Sequence, residues 1–522
     1  MFEQIASATV DLLTVEVMGY IVLGVTIGYF VGAMPGLNRA TALALLLPFT
    51  FTMSPLAAIC FLIGINKGGA AGSAVSAILM NVPGEPSSVV TTLDGYPMTR
   101  QGKSRKALKL ALYASVIGDI LATIVLIMLA APLARLAVGL GPIELSAILL
   151  FAMTFIAAVS GRSFLKGIIS GLIGLLLATP RLDPETGMPR LTFGFMELYD
   201  GIPLLAVAIG TLALSEILVQ IDRGWRGRYS HKNEFLHSAS SADSRLSGKE
   251  FLASMPAILR GSITGTVIGL LPGLGASLSS FLAYTWVKRA SKTPELFGKG
   301  APDGVAAAEA ADNASVPASL IPVFAIGLPG SLATALLMGG FMMHGLTPGP
   351  FLLRDNIELV YAIFLGMLAA SGILLMVGYF GQGVFTRVIT VRDTVIIPVI
   401  VFLCVIGAYL EGGGMFGVHL MLVFAFVGYF LKKFDFSFVT FLVGYILGPM
   451  VELSMRQAII ISDANPMILL KHPVAVVFLA LAVLSAWRLS AMNMLPKAQS
   501  RAMKRPDGEA QPLAKKRDCE HR

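Results

Sequence analysis

The chain has 522 residues, of which 55% are hydrophobic and only 13% charged, with 54 Gly, 24 Met and a mean hydropathy of +0.78. Soluble domains carry about 25% charged residues, so a soluble enzyme, a disordered protein and a disulfide scaffold are excluded. Long apolar runs, rather than alternating strands of about ten residues, leave a polytopic helical membrane protein, and the net charge of +8 is then cytoplasmic-loop charge rather than nucleic-acid affinity.

The first sixteen residues hold Glu3, Asp11 and Glu16 and no Lys or Arg. This predicts no cleaved signal and a periplasmic N-terminus. Apolar segments are expected at 17–34, 37–54, 57–80, 87–98, 106–131, 142–160, 164–179 and 200–219, then at 256–270, 274–287, 305–326, 331–343, 357–381, 394–410, 415–431, 436–450 and 473–492. Basic residues gather in 99–109, 220–260, 286–300, the pairs Arg162/Lys166, Arg387/Arg392 and Lys432/Lys433, and the tail from Arg488, 31 of the 39 in all. With those gaps in the cytoplasm, only Arg135, Arg181, Arg190, Arg354, Arg456 and Lys471 fall outside, while Arg39 and Lys67 lie in apolar surroundings, a strong positive-inside pattern. The expected organisation is a first transmembrane repeat over 1–221, a cytoplasmic linker over 222–255, a second repeat over 256–495 and a basic, disordered cytoplasmic tail over 496–522.

The repeat is legible in the glycines. Gly24, Gly28, Gly32, Pro35, Gly36 and Leu37 match Gly261, Gly265, Gly269, Pro272, Gly273 and Leu274 without a gap, and Pro83-Gly84 matches Pro329-Gly330. The first unit of half one ends in the uncharged 50–56 and the second in the basic 99–109; in half two the order is reversed. The expected fold is therefore all-α, with two inverted repeats, each holding a re-entrant hairpin and a broken helix. The stretches 256–270 and 274–287 are each shorter than the ~20 residues of a full span and suit a hairpin with its tip at Pro272-Gly273. The glycine triplets themselves read mainly as close helix packing.

Each break starts a half-helix whose first N–H groups are free and whose dipole end is positive, so four such ends near the midplane suit an anion. The candidate substrate residues are Gly36, Asn38, Arg39, Gly84, Ser87, Ser88, Gly273, Gly275, Ser277, Gly330, Ser331 and Thr334. Ionisable groups in apolar segments are expensive and point to function. Arg39 follows the first tip and suits a carboxylate or a structural acid; Lys67 raises the same question. Glu309 and Asn313 share a helix face and, with Asp312, are candidates for Na⁺ or proton coupling. Asp94 is expected to cap or to pair with the basic 99–109 loop, and Asp119, Glu144, Glu216, Glu411 and Glu452 to be structural. Cys60, Cys404 and Cys519 and six His show no ligand spacing. Walker A, HExxH and nucleotide fingerprints are absent, so no enzyme, metal or organic cofactor is expected.

These motifs carry a resemblance. GAMPGLNRATALALLLPFTF at 32–51, GSAVSAILMNVPGEPSSVVTTLDGYPMTRQGK at 72–103, GLLPGLGASLSSFLAY at 269–284, EAADNA at 309–314 and GLPGSLATALLMGGFMMHGLTPGP at 327–350 closely resemble the large membrane subunit of the tripartite tricarboxylate transporters, the TctA type. The resemblance runs from about Gly24 to Leu495. It implies a bacterial inner-membrane permease working with a small membrane subunit and a periplasmic solute-binding protein. It also implies import of citrate-like acids on an ion gradient or the membrane potential, by elevator-like movement. Asn38, Ser87, Ser88 and the Pro-Gly positions match the family pattern; Asn66-Lys67 depart from it, aromatic residues being expected there, so that Lys67 either alters the substrate range or reaches the surface. The alternatives are a cation-coupled carboxylate symporter without a binding protein, an intramembrane enzyme and an anion channel.

Overall fold

The computed structural model describes residues 2–34, 38–159, 163–183, 186–222, 245–271, 275–388, 393–411, 413–463, 465, 468 and 471–494. Apart from one two-residue antiparallel pair it is all helix. The first half runs α1 (Phe2–Leu12), α2 (Val15–Ala33), α3 (Arg39–Leu46, continued by a 3₁₀ turn), α4 (Pro55–Met80), α5 (Val89–Arg100), α6 (Ser104–Val138), α7 (Pro142–Val159) and α8 (Phe164–Leu177). Strands β1 (Arg181–Leu182) and β2 (Pro189–Arg190) follow, then α9 (Leu204–Ile209) and α10 (Ser215–Asp222), joined by a π turn. The second half runs α11 (Gly248–Gly269), α12 (Gly275–Ala290), α13 (Pro302–Ala318), α14 (Ile321–Ile326), α15 (Leu332–Met343), α16 (Pro350–Asp355), α17 (Ile357–Val388), α18 (Asp393–Glu411), α19 (Met415–Lys433), α20 (Phe438–Ile461) and α21 (Pro473–Met494). Among the described residues, eight helical stretches are long and apolar enough to cross a membrane. Large apolar side chains such as Leu172, Phe380, Phe402 and Trp487 stand exposed, as they do where lipid rather than water is the solvent.

The two glycine triplets do the same thing in the two halves. A Cβ at Gly24, Gly28 or Gly32 would strike the backbone of Phe61, Ile65 or Gly69 on α4; one at Gly261, Gly265 or Gly269 would strike Ala307, Ala311 or Ser315 on α13. Backbones this close leave no room for any side chain, which is why small residues recur every four positions. The struck residues are related by one constant shift in numbering, which also relates Pro83-Gly84 to Pro329-Gly330. The same shift relates Asn81 to Gly327, both left-handed (φ 56° and 71°), where Asn and Gly are the residues that adopt the conformation without strain.

One difference between the halves has a local cause. The segment expected over 305–326 is two helices, α13 and α14, whereas its counterpart α4 is continuous. Pro322 has no N–H to give to the carbonyl of Ala318, so the helix stops and restarts; the matching residue of half one is Ser76, which has one.

Three expectations are corrected. α11 starts at Gly248, because Ser247 and Glu250 form a reciprocal capping box. Its 22 residues reach the ~20 of a full span, so shortness alone does not make it half a re-entrant hairpin. Asp94 does not pair with the 99–109 loop. Its carboxylate accepts from the N–H groups of Gly298, Gly300 and Ala301, all at 2.8 Å, and from the Tyr284 hydroxyl at 2.9 Å. Lys67 does not reach the surface. It is 1% exposed, and its ammonium bonds Asp119 at 2.8 Å, Ser371 at 3.0 Å, Thr123 at 3.3 Å and the Met367 carbonyl at 2.7 Å. It bolts α4 to α6 and α17.

Loop charges pair at two opposite ends of α20. Beside its start, Lys432 meets Glu216 at 3.0 Å, Lys433 meets Asp222 at 3.4 Å, and Lys166 bonds the Phe434 carbonyl at 2.6 Å. Near its end, Glu452 takes a bidentate Arg190, and Arg456 reaches Asp183 at 2.9 Å. Glu144 bonds His472 at 2.6 Å.

Candidate functional site

Four helix starts converge on one cavity of about 360 Å³. Asn38 and Arg39 bring the start of α3, and Glu85, Pro86 and Ser87 the turn into α5. Gly275, Ala276 and Ser277 bring the start of α12, and Pro329 to Ala333 the start of α15. Ile156 of α7 and Phe438, Val439 and Val443 of α20 form an apolar side. A second space of about 210 Å³ shares Asn38 and Phe438 with the first and extends to Glu216 and Lys432.

The helix starts are made by local chemistry. Asn38 accepts from the Thr41 N–H at 2.9 Å, an N-cap. Ser331 and Thr334 form a capping box on α15. Gly275 has φ +64°, a conformation that favours glycine. The two halves differ in what meets the N-terminus. In half one the Glu85 carboxylate takes the Arg39 N–H at 2.9 Å and the Arg39 Nε at 3.2 Å. In half two the equivalent residue is Ser331, too short to do the same for α12. Among the described residues none accepts a hydrogen bond from the N–H groups of Gly275, Ala276 or Ser277. The α12 start thus presents three successive N–H groups without a described acceptor, an arrangement that suits an anion.

Behind Arg39 lies an acidic group. Its Nη2 is 3.7 Å from Asp312, which also accepts from Ser87 at 3.0 Å. One turn earlier on α13, Glu309 accepts from Thr91 and from Ser115 at 3.2 Å, and Asn313 donates to that same Ser115 at 2.8 Å. Glu309, Asp312 and Asn313 are all 1% exposed or less. Glu85, Glu309 and Asp312 ionised together outnumber Arg39, and like charges brought together away from bulk water repel.

Of the residues singled out in the sequence, Asn38, Arg39, Ser87, Gly275, Ser277, Gly330 and Ser331 line the cavity. Gly84, Ser88 and Thr334 stand behind it. Gly84 packs on Gly32 and Ser73, Ser88 bonds Ser73 at 2.6 Å, and Thr334 is committed to its cap. Gly36 and Gly273, with Pro35, Leu37, Pro272 and Leu274, lie outside the described residues. Glu85 was missed as a partner of Arg39. Its position after a Pro-Gly break was the available signal, but nothing local marks a contact 46 residues away.

The family model for the tripartite tricarboxylate transporter TctA family matches residues 18–443 and so takes in every described residue of the cavity. The chain belongs to that family. It is a tricarboxylate-transport permease, the large membrane subunit, not an enzyme. Among the described residues no group of His, Cys, Asp and Glu is arranged to hold a metal ion. The chain is 34% identical to an uncharacterized 52.8 kDa protein in the TAR-I ttuC' 3' region of Agrobacterium vitis, over 88% of this chain and 90% of that protein. A protein in the TAR-II ttuC' 3' region of the same organism is 32% identical over 45% of this chain and 96% of its own length. No solved structure matches it significantly.

Proposed function

We propose that this permease imports tricarboxylates or related organic acids delivered by a periplasmic solute-binding protein, together with a small membrane subunit, and that an inward cation gradient drives it. The observation that carries the reading is the convergence of four helix starts and Arg39 on one cavity. The substrate carboxylates meet the open start of α12 and the serines of α12 and α15. Contacts of this kind are each worth roughly 0.3–1 kcal/mol, rising to about 2 when partly buried. The acidic group of Glu85, Glu309 and Asp312 supplies the reason for coupling, since protons or Na⁺ must accompany the anion.

The halves are read as inverted repeats, with the α2–α3 and α11–α12 units moving as bodies against the remaining helices. The end bearing Lys432, Lys433 and Lys166 is assigned to the cytoplasm by its charge, and the end bearing Arg190 and Arg456 to the periplasm, with the N-terminus periplasmic and the C-terminus cytoplasmic. On that assignment the space running from Asn38 to Lys432 opens inward. Citrate uptake into proteoliposomes, with Na⁺ or proton gradients and with or without the binding protein, tests the reading. Uptake is expected only with both gradient and binding protein. Uptake without the binding protein favours an autonomous symporter; currents that do not saturate with citrate favour a channel.

A further inference from the structure

The second space, of about 210 Å³, is large against the roughly 10–15 Å³ that one water needs. Asn38 and Phe438 line it and the main cavity alike. Among the described residues Lys432 is the one cation on its wall. The ammonium of that lysine is fixed from three sides. It bonds the Glu216 carboxylate at 3.0 Å, lies 3.5 Å from the Leu212 carbonyl, and stands 5.6 Å from the centre of the Phe438 ring. Glu216, Leu212 and Phe438 all line the same space, so the charge itself, and not only the carbon stem, is at the wall. Leu212 belongs to the π turn between α9 and α10, and such turns are frequent at functional sites.

A lysine in the last turn of a helix, facing an acid, is by itself ordinary loop electrostatics. Lys433 is such a residue. It follows Lys432 on α19 and meets Asp222 at 3.4 Å, but it also bonds the Tyr429 hydroxyl at 2.6 Å and lines neither space. The Lys432 pair differs in its place, on a space that shares two residues with the substrate cavity. Its side chains are 17% and 31% exposed, and ion pairs so open to solvent are weak enough for another carboxylate to displace the first. An ammonium suits that exchange, being a compact charge with three rotatable donors. Glu216 carries the same chemical group as the proposed substrate and competes for the same donor. We propose that Lys432 is a release-side binding point for the transported acid. One carboxylate of the outgoing acid takes the place of Glu216 on Lys432, and Glu216 returns to the lysine as the acid departs. This rests on the transport reading above, including the assignment of this end to the cytoplasm, and adds a station between the cavity and release.

The test uses proteoliposomes containing this chain and its small subunit, with labelled citrate and the binding protein outside and unlabelled citrate in the lumen. The binding protein engages only molecules whose periplasmic face is outward, so luminal citrate acts on their release side. The readout is the luminal concentration at which its effect on initial uptake is half-maximal. Lys432→Gln is expected to raise that concentration about tenfold, the lower end for losing a hydrogen bond between charged groups. Glu216→Gln, which removes the competitor and leaves the lysine, is expected to lower it about threefold. Lys432→Arg and Lys433→Gln are expected to stay near wild type. A merely structural ion pair would respond in the same direction to the loss of either partner, so the opposite shifts distinguish a binding point from a brace. Glu216→Gln carries the test should Lys432→Gln not elute as folded protein. Shifts of one direction, or an unmoved half-effect in folded variants, overturn the inference. Wild type that takes up external citrate but does not respond to luminal citrate overturns this inference alone; wild type that takes up no citrate overturns the transport reading and this inference with it.

Discussion

Arg39 is held by two carboxylates from different parts of the chain, Glu85 at 3.2 Å and Asp312 at 3.7 Å. Arg39→Gln removes their counter-charge where the substrate enters. Uptake normalised to folded protein is expected to fall about 10- to 100-fold, because a hydrogen bond from a charged donor to the substrate is worth about 1.5–3 kcal/mol. Arg39→Lys keeps the charge but not the forked donor geometry and should recover only part of that loss. Retained uptake in Arg39→Gln would remove Arg39 from the site. Lys67 is buried more deeply than Arg39, its side chain 0% against 12% exposed, and is turned toward Asp119 and Ser371. Lys67→Met is expected to destabilise by about 3–5 kcal/mol, and Lys67→Met with Asp119→Leu to recover most of it, as read by thermal unfolding in detergent. A single variant as stable as wild type would contradict the pairing. The expense of burying these two cations was legible in the sequence, and their different uses were not. Their partners lie 46 and 52 residues away, and no local pattern records which distant segment will be adjacent.

At the scale of elements, the glycine triplets were legible both as a repeat and as packing, because spacing alone tells that small residues share one face. What spacing could not tell was the partner helix, nor that Pro322 divides α13 from α14 while Ser76 leaves α4 whole. The start of α11 was misjudged because hydropathy fades before the helix ends. Its first turns are polar, and the capping box of Ser247 and Glu250 sets the boundary. Gly28→Leu or Gly265→Leu should abolish recovery of folded protein, each side chain being driven into backbone, whereas Gly19→Ala, with nothing within 4 Å, should leave the yield unchanged. Solubilised, monodisperse protein is the readout; normal yield of Gly28→Leu would contradict the α2–α4 contact. Ser331→Ala removes the α15 cap and is expected to cost about 1 kcal/mol in the same unfolding assay.

For the whole molecule, the alternation of basic and uncharged gaps predicted which loops share a side. The pairs Lys432–Glu216 and Arg190–Glu452 fall at opposite ends of α20, and the proposed assignment of sides rests on the charge of those ends. The cavity was legible as a convergence of breaks but not in its walls, since Phe438, Val439 and Ile156 are ordinary apolar residues until tertiary packing brings them there. The central claim is that the substrate lies among the four helix starts. The most direct measurement is protection of Ser277→Cys from a membrane-impermeant thiol reagent, in a chain whose Cys60, Cys404 and Cys519 are replaced and which still transports. Citrate, supplied with the driving cation, is predicted to slow modification at Ser277, which lines the cavity, and to leave Leu191→Cys, on the exposed loop after β2, unaffected. Equal modification rates with and without citrate at Ser277, in protein that transports citrate, would contradict the account.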